Sequence, residues 1–297
     1  AGSAPVKEMR LRRGLASPAV EKLFFSRMVT GRSLPPASPI AVDSIPNKVC
    51  ATLSSALAAA PTGSTLSLGP GRYTGGISLQ NRQIRIVGAG IEKTVIYPDE
   101  TALWVSGGDV EIENLSLVSG SLGESTSVVA VSDGRARVVD CMILGGTGPG
   151  LLVSGTSNLY IEGNIIQGNI GGGIRVKGGK VDAFRNTITG NAKSGIVFSP
   201  SSPAAISHYS GVHETIVNNC STTRCASFWR EGVAGSKHLA ERVGFRDSIL
   251  TGRGISDSLG ARGLSLLKEH NNYLVSSPDE AKFFAEGKGE YIPARRE

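Results

Sequence analysis

Ile161-Glu162-Gly163-Asn164-Ile165-Ile166 has a counterpart on either side: Val138-Val139-Asp140-Cys141-Met142-Ile143 before it and Ala183-Phe184-Arg185-Asn186-Thr187-Ile188 after it. Cys141 to Asn164 is 23 residues and Asn164 to Asn186 is 22. A second phrase moves in step with the first: Gly150-Leu151-Leu152-Val153, Gly173-Ile174-Arg175-Val176 and Gly195-Ile196-Val197-Phe198. Two phrases advancing together mark a structural repeat. Each copy holds short runs of alternating apolar residues broken by Gly and Asn, which is the pattern of strands and tight turns.

A rise of ~3.3 Å per residue in parallel strands makes about 22 residues one turn of a three-sided coil. Coils stacked at ~4.8 Å pair every strand with its copies above and below. A single coil cannot bury its own apolar side, so neighbours supply the stability. A leucine-rich repeat of similar period would need leucines at fixed offsets and a helical segment, and neither is present. The expected fold is all-β: a single-stranded, right-handed parallel β-helix of about eight coils.

Looser copies extend the repeat. Upstream are Thr94-Val95-Ile96-Tyr97 and Ile112-Glu113-Asn114-Leu115-Ser116-Leu117; downstream are Glu214-Thr215-Ile216-Val217, Asp247-Ser248-Ile249-Leu250 and Asn272-Tyr273-Leu274-Val275. Insertions are expected at 199–212 and 230–244, as lateral loops. Asn114, Cys141, Asn164 and Asn186 precede apolar pairs and are read as one inward column, a ladder of side-chain hydrogen bonds each contributing about 0.5–1.5 kcal/mol.

Both ends of such a stack need covers. Residues 49–60 read as a capping helix with Leu53, Ala56 and Leu57 on one side and Pro61 ending it. Pro278 to Ala285 reads as a short carboxyl-terminal helix within a cap and tail at 278–297. The β-helix itself is expected over 49–277. Residues 1–48 carry scattered Pro, Ser and Arg and read as a basic extended arm, with at most a short helix near Ser17 to Met28.

The formal net charge is +6, and most of it lies in that arm. A nearly neutral body with a basic arm does not resemble a nucleic-acid-binding surface; Arg10, Arg12, Arg13, Lys22 and Arg27 point to an acidic surface or a neighbouring subunit. No apolar run is long enough to span a membrane. Cys50, Cys141, Cys220 and Cys225 form no metal pattern, and Cys220 with Cys225 fits either a disulfide or two thiols. The Arg-, Ser- and Ala-rich front segment resembles that of organelle-targeted proteins, which favours an organelle interior such as a mitochondrion or plastid over secretion.

The segment Pro61-Thr62-Gly63-Ser64-Thr65-Leu66-Ser67-Leu68-Gly69-Pro70-Gly71-Arg72-Tyr73, with Ile84-Arg85-Ile86-Val87-Gly88-Ala89-Gly90 and Thr94-Val95-Ile96 after it, resembles the opening of pectin-lyase-like β-helix proteins. The resemblance covers residues 50 to 277 and implies the fold, while its branches include lyases, hydrolases, esterases, epimerases and non-enzymes. Their phrases are missing here: no Arg-x-Pro-x-x-Arg, no Asp-Asp or Gly-His-Gly, no Gln-Asp-Thr, no Asp-Pro-His-Asp.

The remaining candidates for chemistry are residues assigned to one outward column: Glu113, Asp140, Gly163, Arg185, His213 and Arg246. Asp140 and Arg185 would stand two coils apart, roughly 10 Å, a distance that flanks a sugar. His208, His213, His238 and His270 show no metal-ligand spacing, and no metal or cofactor is expected. Two functions follow as expectations. The first is a non-catalytic scaffold or accessory interaction subunit, meeting protein partners through the arm and the loops 199–212 and 230–244. The second is a polysaccharide-active enzyme of lyase, hydrolase or esterase type, built on Asp140, Arg185 and His213.

Overall fold

A computed structural model of the chain describes residues 38–42, 49–98, 101–119, 126–199, 207–217, 219, 228–230, 243–246, 248–251 and 272–275. These form a parallel β-helix with three faces. The first face is a nine-stranded sheet: Gly71–Thr74, Thr94–Tyr97, Ser116–Val118, Met142–Leu144, Ile165–Gln167, Thr187–Thr189, Thr215–Val217, Ile249–Thr251 and Tyr273–Val275. Two long strands, Ile77–Gly88 and Leu103–Glu113, bend around one corner and contribute to both other faces.

The second face continues from their first halves through Val129–Ser132, Leu151–Ser154, Ile174–Val176, Ile196–Phe198 and Phe228–Arg230. The third comprises Ser64–Leu68, the second halves of the long strands, then Arg135–Val139, Asn158–Glu162, Gly179–Phe184, Ser207–Val212 and Val243–Arg246.

Register turns the sequence repeat into columns. Tyr73, Ile96, Leu117, Ile143, Ile166, Ile188, Ile216 and Leu250 stack as one interior column of the first face. All eight are buried. At ~25 cal/mol per Å² of apolar surface removed from water, such columns are the main stabilising term.

The corners need a left-handed backbone. Asn81, Gly107, Gly108, Asp133, Gly134 and Gly155 supply it between the second and third faces. At Gly108 (φ +82°) a Cβ would lie 2.2 Å from the Arg82 carbonyl oxygen, so the two corner backbones touch and only glycine fits.

The amino-terminal end is closed as expected, with one shift of boundary. Helix α1 spans Leu53–Ala59 and buries Leu53, Ala56 and Leu57. Thr52 caps it: its Oγ1 accepts from the Ser55 amide at 3.1 Å, and the Ser55 Oγ accepts from the Thr52 amide at 3.2 Å. The Arg82 guanidinium donates to the carbonyls of Leu57 (2.8 Å) and Ala60, satisfying the last turn. Val49–Cys50, placed in the helix by the sequence reading, is instead a strand paired antiparallel to Ile40–Val42. Ile40–Val42, read as part of the arm, also lies antiparallel along Ser64–Leu68 and covers that sheet edge.

The insertion expected at 199–212 is shorter. Ser207–Val212 is a six-residue strand in register with Gly179–Phe184, because Ser207, Tyr209 and Gly211 alternate inward as a strand requires. Arg230, Val243 and Gly244 likewise belong to strands and not to a 230–244 loop. The arm residues Arg10, Arg12, Arg13, Lys22 and Arg27, the helix at 278–285, and Cys220 and Cys225 lie outside the described residues.

Candidate functional site: the charged third face

The ladder is real but begins one coil later than expected. Asn164 and Asn186 are buried in register, and the Cys141 amide donates to the Asn164 Oδ1 at 2.9 Å. The Asn164 amide and Nδ2 both donate to the Asn186 Oδ1, each at 3.0 Å. Asn114 is not a member: it is exposed, with φ 57°, and the residue in register with Cys141 is Leu115. Asn114 is there for its tolerance of the left-handed corner.

The column continues where the sequence reading stopped. The Asn186 amide and Nδ2 both donate to Glu214 Oε1 at 3.0 Å, and the Tyr209 hydroxyl lies 3.2 Å from Glu214 Oε2. Glu214 is 1 % exposed, and burial pushes its carboxyl up to about 8 despite the bonds from Asn186 and Tyr209 that favour the anion. Ser248 and Asn272 extend the column below. A second ladder was missed altogether: Asn191 Oδ1 accepts from Asn169, and Asn219 Oδ1 accepts from Asn191. Its signal was present, since Gly168-Asn169 and Gly190-Asn191 repeat at the same 22-residue step.

Asp140, Gly163, Arg185 and His213 do share a column, together with Asn114. All five sit at the corner after the third face, with φ of 49°, 63°, 55°, 57° and 57° respectively. The assigned end members shift by one residue: Glu113 and Arg246 lie in the strands, outward on the third face. Arg185 reaches back to Glu162 at 2.7 Å with its guanidinium 4.7 Å from the Phe184 ring centre, and His213 lies 5.4 Å from that ring. The structure brings Asp140, Arg185 and His213 onto one corner, where the first demand on each is backbone conformation.

The denser constellation lies beside that corner, on the outward positions of the third face. Arg85, Glu111, Arg137, Tyr160 and Asp182 follow one another in register; Glu113, Val139, Glu162, Phe184, Val212 and Arg246 form the next column. Arg85 bonds Glu113 at 2.8 Å and Glu111 at 3.3 Å. Arg137 bridges Glu111 at 3.2 Å and Glu162 at 3.6 Å, its guanidinium 5.1 Å from the Tyr160 ring centre. Tyr160 donates to Glu162 at 2.9 Å. Cations and carboxylates thus alternate from coil to coil, with aromatic rings between them.

The acids respond to this setting. Partial burial raises the Glu111 carboxyl above the usual carboxylate range, reinforced by its neighbour Glu113. Burial also pushes Glu113 up, but hydrogen bonds from Arg85 and Glu111 outweigh it and leave Glu113 below that range. Glu162 is held low by Arg185 and by the Tyr160 hydroxyl. The sequence signal for this stripe is the period-two polar pattern in Glu111-Ile112-Glu113, Arg135-Ala136-Arg137 and Tyr160-Ile161-Glu162, next to the ladder phrase.

Among the described residues no group of three metal-ligating side chains occurs, and no helix is long and apolar enough to cross a membrane. Comparison with solved structures finds the pectin methylesterase PemA from Erwinia chrysanthemi, 13 % identical, TM-score 0.44, covering 73 % of this chain and 95 % of that one. A pectin methylesterase in complex with a hexasaccharide is similar at 12 % identity and TM-score 0.45, covering 84 % of this chain and 96 % of that one. No curated protein matches the sequence. The family model for the right-handed β-helix region matches residues 71–220, half of the chain, and the chain belongs to that family.

Proposed function

We propose that this protein is a non-catalytic β-helix scaffold, an accessory subunit that presents its third face to a protein partner. The observation behind the reading is that Glu111, Glu113 and Glu162 are each engaged by guanidinium groups of Arg85, Arg137 or Arg185. A hydrolase or lyase that used these carboxylates would need one of them free to move a proton to or from substrate. A flat stripe of alternating charges and half-exposed rings instead suits recognition of a complementary surface, where charge pattern sets register and specificity. The basic residues Arg10, Arg12, Arg13, Lys22 and Arg27, and the insertions within 200–206 and 231–242, add contacts in this reading.

The test is affinity purification of the tagged full chain from its source, beside an Arg137→Ser/Arg185→Ser variant. A stoichiometric partner retained by the first and lost from the second supports the proposal. A lone monomer in both sinks it.

One observation favours the second reading, a polysaccharide-active enzyme. Glu111 and Glu113 are displaced in opposite directions, and a pair of carboxyls pushed apart is how one acid stays protonated beside an ionised one. Screening acidic and neutral polysaccharides for new reducing ends, unsaturated products or released ester groups, with Glu111→Gln as control, separates the two.

A further inference from the structure

Asn164, Asn169, Asn186, Asn191 and Asn219 are buried, and each spends its side-chain amide inside a ladder. Asn114 does neither. It is exposed, and among the described residues its side chain has no hydrogen-bond partner. Its backbone is fully used: the amide donates to the Val139 carbonyl at 3.2 Å, and the carbonyl accepts from the Gly90 amide at 2.8 Å. The fold therefore asks this residue for a left-handed backbone and leaves its amide idle. Conformation alone does not select asparagine, since Asp140, Gly163, Arg185 and His213 fill the same corner in the coils below.

There is room around that amide. Val87 and Glu113 are in register, so Gly88, with no side chain, stands above Asn114. Asp140 below it is itself exposed. A large polar group on the Asn114 Nδ2 would leave the surface without displacing a neighbour.

Asn114-Leu115-Ser116 is also an acceptor triplet for N-linked glycosylation, an asparagine followed two residues later by a hydroxyl. In the folded chain Ser116 is 0 % exposed, and its Oγ donates to the Ile91 carbonyl. Its neighbours in register, Val95 and Met142, are apolar. The triplet can thus be read only while this stretch is extended, before the coil closes; afterwards Asn114 stays at the surface and Ser116 is sealed. A second triplet, Asn219-Cys220-Ser221, is unsuitable. Asn219 is 8 % exposed, its Nδ2 donates to the Ile188 carbonyl at 2.7 Å, and its Oδ1 accepts from Asn191. A sugar there would remove a ladder donor and force the residue out of the core.

We propose that Asn114 carries an N-linked glycan, added to the nascent chain. In the transfer a bond forms between the Asn114 Nδ2 and the sugar C1, and the C1–O bond to the pyrophosphate of a lipid-linked oligosaccharide breaks. The pyrophosphate leaves with the bonding pair, and Nδ2 gives up one proton. The glycan emerges at the corner beside Glu113, on the rim of the third face. Such a sugar is added in the secretory lumen, a different route from the organelle interior expected from the front segment.

The experiment treats the full chain, purified from its source, with peptide-N-glycosidase F, which releases the sugar and leaves aspartate. Faster migration after treatment, with Asn114 converted to aspartate by mass spectrometry, supports the proposal. Asn114 recovered unmodified from the untreated protein overturns it. Expressed in the same cells, Asn114→Gln and Ser116→Ala are expected to lose the sugar, and Ser116→Thr and Asn219→Gln to keep it. A sugar lost only with Asn219→Gln overturns the assignment. The timing has its own readout. Folded, unglycosylated chain made in bacteria should stay unmodified by the transferase and its donor, while a synthetic peptide spanning 108–120 is modified. Equal rates for the two overturn the nascent-chain step.

Discussion

Asn164 donates both its backbone amide and its side-chain Nδ2 to a single oxygen, the Oδ1 of Asn186 one coil below, each at 3.0 Å. The same Nδ2 also donates to the Val138 carbonyl at 2.8 Å. One side chain thereby closes the backbone hydrogen bonding of a corner that no strand ladder reaches.

Asn186→Ala should therefore cost more than the loss of a surface amide. It leaves two buried donors of Asn164 without an acceptor and removes one of the two donors to the Glu214 Oε1. A loss of about 2–3 kcal/mol is expected from urea midpoints, on the scale of buried unsatisfied groups. A loss below about 0.5 kcal/mol contradicts the ladder.

Glu214 makes stability depend on pH. Its carboxyl is raised from an ordinary 4.5 to about 8 by burial, so between those values the folded chain holds a proton that the unfolded chain releases. Stability is then highest below about 4.5 and falls as pH rises towards 8, by on the order of 3 kcal/mol at pH 7. Glu214→Gln keeps an acceptor for Asn186 and removes the titration. It should match the parent at pH 4 and exceed it at pH 8 in thermal unfolding.

The corner column gives a test that separates conformation from chemistry. His213→Gly should be neutral or slightly stabilising, since glycine accepts φ 57° without strain. His213→Val should cost about 1–3 kcal/mol, because a β-branched residue is forced into the left-handed region. Asp140→Gly is expected to behave like His213→Gly. If Asp140→Gly or His213→Gly abolishes a measured polysaccharide activity while the protein stays folded, the corner is catalytic and the scaffold reading falls.

The third-face stripe should matter little to stability. Arg85 and Arg137 are about half exposed, so Arg137→Ser is expected to lower stability by less than about 1 kcal/mol, an effect that shrinks further in 1 M salt. A loss that is large and insensitive to salt would show that the stripe holds the coils together, and would remove it as a docking surface.

How far the sequence foretold this can be argued from individual residues. Cys141, Asn164 and Asn186 were legible because a polar residue returning every 22–23 positions inside an apolar phrase is what a buried hydrogen-bonded column requires. Asn114 misled for a physical reason: the corner needs left-handed residues and the column beside it needs amides, and asparagine suits both. Glu214 was passed over because a buried acid in an amide column depends on burial, which no local pattern displays. The stripe of Arg85, Glu111, Arg137 and Glu162 was hidden differently. Each residue is an ordinary surface charge until register stacks it on its partner.

The ladders also give the molecule an electrical direction. In both columns the side-chain oxygens accept from the preceding coil, while the backbone amide and one Nδ2 hydrogen donate to the following one. Their dipoles therefore add along the axis as peptide dipoles do in an α-helix. Glu214 receives the donors that Asn186 directs down the first column, and it is there that burial and field oppose each other. A β-solenoid whose described part holds no long helix thus carries its own axial polarity, set by which way a few asparagines turn.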